Sequence, residues 1–145
     1  MQEPERDPHG IPRNQPGAKL DAGKSPILRG VVQYFPRALG AVSDISQHGA
    51  TKYTWKGWQS VPDGVDRYGD ALMRHLAGEE IDGPVDPETG LLHAAQVAWN
   101  ALARLELKIL FEETLKRYPD MELAGKPDPA VSAFLNQLKL LPVRW

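Results

Sequence analysis

The segment MRHLAGEEIDG, residues 73 to 83, places one histidine and three acidic side chains within eleven positions. PVDPETGLLH follows directly, with two more acids and a second histidine. Carboxylates are hard oxygen ligands, and magnesium takes one or two of them together with water and substrate phosphate oxygens. Glu79, Glu80, Asp82 and Asp86, with Glu88 beside them, are therefore candidate ligands for Mg2+. An ion held there polarises a phosphate and orients a water. The same residues also suit a solvated loop between two helices, with acids gathered where the next helix dipole favours them.

His75 and His93 are candidate catalytic residues, as a general base or a water-orienting group. Half-buried structural histidines are the competing reading. Arg67 and Arg74 are seven residues apart and share a helix face, with Asp70 between them. Two guanidinium groups can grip a triphosphate. The bland alternative is an exposed ion pair with Asp70, worth about 0.2–0.5 kcal/mol. Lys19, Lys24 and Lys52 stand in glycine-containing loops and can also meet phosphate. Gln96 and Asn100, on the face that His93 begins, suit hydrogen bonding to a nucleobase or plain solvent exposure. Tyr53 and Trp58 offer faces on which a base can stack. The chain has no His-Asp dipeptide, no HExxH and no GxxxxGK[ST], so HD-type, zincin and P-loop chemistries are disfavoured.

These residues need elements to position them. Residues 1 to 18 carry four prolines and two glycines and read as a flexible, disordered tail. Apolar spacing is helical from Ile27 to Gln47, and Pro36 breaks it, so a new helix is predicted to start there. Residues 48 to 64 read as an aromatic, glycine-containing loop. A helix is predicted from about Asp63 to Ala77, with Gly78 as its stop and Val65, Tyr68, Leu72 and Leu76 as its apolar stripe. A turn-rich connection leads to the longest helix, about Leu91 to Tyr118. Its apolar face is Leu91, Ala95, Ala98, Leu102, Leu105 and Ile109; His93, Gln96, Asn100 and Arg104 line another. A short helix is predicted near residues 130 to 138, where Phe134, Leu135, Leu138, Leu141 and Trp145 resemble a packing surface.

The chain of 145 residues suffices for one small domain. With a formal net charge of −2, no general attraction to nucleic acid or anionic membrane follows. No cysteine is present, which excludes disulfides, thiolate nucleophiles and cysteine-ligated metals. The N-terminus lacks the order of a signal peptide and no run is long enough for a membrane span, so a cytoplasmic setting is expected.

GAKLDAGK, HGATKYTWKGW, RYGDALMRHLAGEE and DPETGLLHAAQVAWNALA occur in that order at tight spacing. Together they resemble the N-terminal domain family of phage-type dATP/dGTP diphosphohydrolases, across residues 17 to 107. The resemblance implies a mostly helical domain that hydrolyses purine deoxynucleoside triphosphates to monophosphate and pyrophosphate. It maps the family's recurring residues onto Lys19, Asp21, Lys24, Lys52, Tyr53, Trp58, Arg67, Tyr68, Arg74, His75, Gly78, Glu79, Asp86, Gly90, His93 and Asn100. Many relatives have a second histidine where this chain has Gln96. The later stretch LARLELKILFEETLKRYPDMELAGKP is similar to the closing segment of bacterial haem-thiolate monooxygenases, with WNALARLEL as a join inside one helix. Without a cysteine, haem is not expected.

The expected architecture is mostly α. A flexible tail spans 1 to 18, a helical nucleotide-hydrolase-like domain 19 to 117, and a short helical C-terminal extension 118 to 145. The expected function is magnesium-dependent hydrolysis of dATP or dGTP in a phage-encoded, cytoplasmic protein, with room for a homo-oligomer. The alternative is a non-catalytic nucleotide-binding or protein-interaction domain of phage origin.

Overall fold

The computed structural model describes residues 4 to 120 throughout and, beyond them, the backbone of 122–123, 128–129, 138–140 and 143–144. The described chain is mostly α. Helix α1 runs Pro36–Lys52, α2 runs Gly64–Asp82 and α3 runs His93–Arg117. A π-helical turn, Leu28–Val32, precedes α1, and a 3-10 turn, Gly57–Ser60, lies between α1 and α2. Two antiparallel pairs of short strands follow: β1 (Glu122–Leu123) with β4 (Val143–Arg144), and β2 (Asp128–Pro129) with β3 (Leu138–Leu140). The helix expected near 130 to 138 lies outside the described residues, except for Leu138, which opens β3. Phe134, Leu135, Leu141 and Trp145 also lie outside them. No helix among the described residues is long and apolar enough to cross a membrane.

The chain divides into two compact units, one ending at Pro36 and the other beginning at Arg37. In the first, the buried carboxylate of Asp7 gathers the backbone. Its Oδ1 accepts the N–H groups of His9 at 2.7 Å and Ile11 at 3.3 Å, and its Oδ2 accepts that of Lys19 at 2.8 Å. The segment that composition reads as a flexible tail thus carries, from residue 4 on, a set of turns around one side chain. The Lys19 N–H, foremost, holds the Asp7 carboxyl below its usual pKa. A depressed folded pKa contributes stability above the unfolded value, and that contribution is lost as pH falls through the folded one. The turns are therefore expected to persist at neutral pH and loosen on acidification below the ordinary value of 3.8. Asp7→Asn is expected to loosen them at every pH. Faster hydrogen exchange at the His9, Ile11 and Lys19 amides is the measurement; unchanged protection in the variant would remove Asp7 from this role.

In the second unit, α2 and α3 form an antiparallel hairpin. α1 joins it through Trp99, whose Nε1–H donates to Ser46 Oγ at 2.8 Å. The Trp99 ring also meets Tyr68 and Trp58 edge-on, at centroid separations of 5.7 and 6.3 Å. Tyr68 Oη–H donates to the Trp58 carbonyl at 3.2 Å, which pins the 3-10 turn to α2. Each such aromatic pair contributes about 0.5–1.5 kcal/mol beyond its buried area.

Two expectations are corrected here. Gly78 does not end α2, which continues to Asp82 and stops at Gly83, where φ is +88°. The reason is a close approach: a Cβ at Gly78 would lie 2.8 Å from His93 Cε1. A bare backbone is needed there for the α3 imidazole to lie against α2. The second correction concerns the face that α3 buries. His93, Ala95, Gln96, Asn100 and Ala103 are buried, whereas Leu102, Leu105 and Ile109 remain 51%, 53% and 45% exposed. The spacing 93, 96, 100, 103 is as helical as the apolar stripe and turns inward because the Gln96 and Asn100 amides find partners. A buried polar group that is hydrogen-bonded costs little.

Candidate functional site

The buried polar face of α3 opens onto the connection that joins it to α2. That connection reverses direction tightly. Asp86 N–H donates to the Leu91 carbonyl at 2.9 Å, Gly90 N–H to the Asp86 carbonyl at 2.8 Å, and His93 N–H to the Pro84 carbonyl at 3.0 Å. An isolated antiparallel bridge pairs Val85 with Leu92. The sequence DPETG builds this locally: an aspartate accepting the N–H two residues on is an Asx turn, and Gly90 takes a φ of +71°.

Asp86 is the hub. Its Oδ1 accepts the Glu88 N–H at 3.0 Å. Its Oδ2 accepts the Thr89 hydroxyl at 2.9 Å and the Gln96 side-chain amide at 2.8 Å. The Gln96 amide also donates to Thr89 Oγ1, at 3.2 Å. Burial alone pushes the Asp86 carboxyl up, but donation from Gln96, Glu88 N–H and Thr89 outweighs it and lowers the pKa to about 2. Asp86 is therefore a carboxylate at any neutral pH.

Two imidazoles stand beside it. His75 comes from the middle of α2 and His93 is the first residue of α3; their Nδ1 atoms are 3.2 Å apart. Burial, foremost, lowers the His75 pKa; the Asp86 charge opposes this and His93 reinforces it. His93 is 4% exposed, and its Nε2 has no hydrogen-bond partner among the described residues. One potential ligand atom from each of His75, Asp86 and His93 lies within 4.8 Å of the others. Two nitrogens and one anionic oxygen thus converge at the junction of α2, its connection and α3. Such a group can accept a proton from water or hold a divalent cation.

The other sequence-derived candidates lie outside this convergent group. Glu79 is half-buried, one turn beyond His75 on α2; Glu80 and Asp82 are exposed at the helix end. The convergent group of potential ligands includes Asp86 but none of these three. Their carboxylates make no hydrogen bond or ion pair among the described residues. Arg67 and Arg74 are exposed on α2, and neither forms an ion pair with Asp70; Arg67 Nη1 instead donates weakly to the Pro62 carbonyl at 3.4 Å. Lys52 Nζ reaches Glu88 Oε1 at 3.8 Å, which brings the end of α1 to the Asp86 connection. Tyr53 follows it, 68% exposed. Trp58 is half-buried against Trp99. Lys19 and Lys24 belong to the N-terminal unit, where Lys24 pairs with Glu5 at 2.8 Å and Lys19 with Asp21 at 3.7 Å. Gln96 and Asn100 are buried. Gln96 holds Asp86, and Asn100 Nδ2–H donates to the Gln96 carbonyl at 2.8 Å.

Thr89 is the member of the Asp86 network that the sequence reading passed over. Its signal was present: a hydroxyl three residues after an aspartate, in a turn ending with glycine. Sequence alone did not show that Gln96 would return to the same carboxylate.

No solved structure matches this chain. A dATP/dGTP diphosphohydrolase of Salmonella phage PMBT28 is 35% identical over 82 residues, which is 57% of this chain and 26% of that protein. The chain thus spans about a quarter of the length of the curated relative it matches. The profile of the family described as dATP/dGTP diphosphohydrolase, N-terminal, matches residues 14–117, the segment that contains all three helices and the Asp86 centre, and the chain belongs to that family.

Proposed function

We propose that this chain carries out the magnesium-dependent hydrolysis of a purine deoxynucleoside triphosphate, dATP or dGTP, to the monophosphate and pyrophosphate. The observation that carries this reading is the convergence of His75, Asp86 and His93 inside the family segment. A neutral imidazole beside a fixed carboxylate is suited to orienting a water and taking its proton. His75 is the half-buried member of the pair and His93 the buried one, so His75 faces the solvent side of the exchange.

Binding falls to the surrounding side chains. Arg67 and Arg74 grip phosphate oxygens, Lys52 adds charge beside the connection, and Tyr53 stacks on the base. Magnesium bound with the triphosphate would supply charge that neutralises the phosphates. Of the carboxylates expected to hold it, Glu79, Glu80 and Asp82 make no hydrogen bond among the described residues and would hold it, whereas Asp86 is engaged by the Glu88 N–H, Thr89 and Gln96. A cytoplasmic site of action, where such nucleotides are found, belongs to the same proposal.

The test is pyrophosphate release from all four dNTPs, with and without Mg2+. Release from dATP or dGTP, in Mg2+ only, is the expected result, with Arg67→Ala and Arg74→Ala raising KM for the triphosphate. A nucleotide that raises the melting temperature without turnover, independent of Mg2+, would leave a binding domain in place of an enzyme.

A further inference from the structure

The donor set at the centre of the site differs from the one that magnesium prefers. Magnesium takes oxygen ligands at about 2.0–2.1 Å and seldom exchanges them for nitrogen. His75, Asp86 and His93 instead present two imidazole nitrogens and one carboxylate oxygen. That combination suits the borderline divalent ions of the first transition row. We propose that His75, Asp86 and His93 form a mononuclear site for a divalent transition-metal ion such as Mn2+, Fe2+, Co2+ or Zn2+. It is distinct from the magnesium that accompanies a triphosphate.

The first argument is the separation of the two nitrogens. Two imidazoles bound to one ion at about 2.1 Å, with their nitrogens 3.2 Å apart, subtend roughly 100° at that ion. This is close to what tetrahedral or octahedral coordination requires. A plain N–H···N hydrogen bond has the same length, so the distance alone admits both arrangements. Aspartate makes the difference. A carboxylate oxygen that lies within 4.8 Å of a nitrogen of each ring supplies the third ligand and the charge that attracts a cation.

The surroundings of Asp86 provide the second argument. Its Oδ2 is occupied by Thr89 and Gln96, and its Oδ1 accepts a single N–H, from Glu88. Oδ1 therefore keeps a lone pair for an ion, while the other contacts fix the carboxylate's orientation. Outer-sphere partners of this kind are what hold metal-ligating carboxylates in place. The three donors also come from α2, the start of α3 and a hydrogen-bonded turn, so their positions are set by the backbone hairpin. Three protein ligands leave coordination positions open for water, and half-buried His75 leaves a path to solvent. With an ion bound, His75 and His93 would orient the attacking water as ligands rather than as proton acceptors; that role rests on the function proposed above, and the binding does not.

The test is titration of the metal-free, nucleotide-free 145-residue chain with Co2+, followed by visible absorption and calorimetry. One equivalent is expected to bind, with a ligand-field band characteristic of nitrogen ligation, and a large excess of Mg2+ is expected not to displace it. His75→Gln should weaken binding by more than the ~10–100-fold typical of losing an outer-sphere partner. Glu106→Gln, at an exposed carboxylate of α3 outside the site, should bind Co2+ as the parent does. Paramagnetic broadening of the His75 and His93 ring resonances by Mn2+ in the unaltered chain supplies a measurement that does not depend on any variant folding. Absence of stoichiometric Co2+ binding, or broadening confined to other residues, would mean that the two rings share only a hydrogen bond. A chain that binds Co2+ without releasing pyrophosphate keeps the metal site and loses the hydrolase reading. A chain that hydrolyses dNTPs without binding Co2+ does the reverse.

Discussion

Asp86→Ala is expected to destabilise the helical unit by about 3–5 kcal/mol, the largest effect of any single side-chain truncation in the site. Three donors lose their acceptor at once: the Glu88 N–H, the Thr89 hydroxyl and the Gln96 amide. A hydrogen bond to a charged group contributes about 1.5–3 kcal/mol, and the three are not additive because Thr89 and Gln96 can still bond to each other. In a domain of this size 1 kcal/mol shifts the melting temperature by about 4–8 °C, so a fall of more than about 10 °C is expected. The effect also has a pH signature. The Asp86 pKa is lowered from 3.8 to about 2, so the stability it contributes is complete above the unfolded value and is lost as pH falls toward 2. The gap in stability between parent and variant should narrow at low pH. Thermal melts across that range decide the matter; a variant that melts with the parent at pH 7 would show that the α2–α3 connection does not depend on this carboxylate.

Gly78→Ala is expected to lower stability by about 1–3 kcal/mol, although glycine-to-alanine in a helix interior ordinarily raises it by about 1 kcal/mol. The sign reverses because the new methyl group would lie 2.8 Å from Cε1 and 3.2 Å from Nε2 of His93. That ring is buried and cannot swing aside, so the substitution must separate the helices or displace the imidazole from His75. Gly40→Ala provides the control. Gly40 is in the interior of α1, and a Cβ there meets nothing within 4 Å, so that variant should gain stability. If both variants move the melting temperature in the same direction, the contact between α2 and the His93 ring does not constrain the hairpin.

The helices were largely legible in the sequence. Pro36 marked the start of α1 because its ring fixes a helical φ and its missing N–H is not needed in a first turn. Periodicity located α2 and α3 because a helix repeats its environment every 3.6 residues whatever it packs against. The acids and histidines that make the site were visible as a cluster because they lie close together in sequence, in α2, its connection and the start of α3. The resemblance across residues 17 to 107 named the family from their order, and the match over residues 14–117 agrees.

Which of these side chains would meet was decided by the tertiary structure. Sequence placed Asp86 among the carboxylates, yet the hairpin sets it beside two imidazoles, because His75 in α2 and His93 in α3 come together only when the helices fold back on each other. Gly78 read as a stop because a missing side chain lowers helix propensity; the same missing side chain lets a ring from α3 lie against the backbone. Leu102, Leu105 and Ile109 read as the inner face of α3 because they are apolar, but periodicity reports only that a stripe exists, not which stripe meets a partner. Gln96 and Asn100 went inward instead because an amide that satisfies its hydrogen bonds can be buried at little cost, and those partners, Asp86, Thr89 and a helix carbonyl, exist only once the connection has turned.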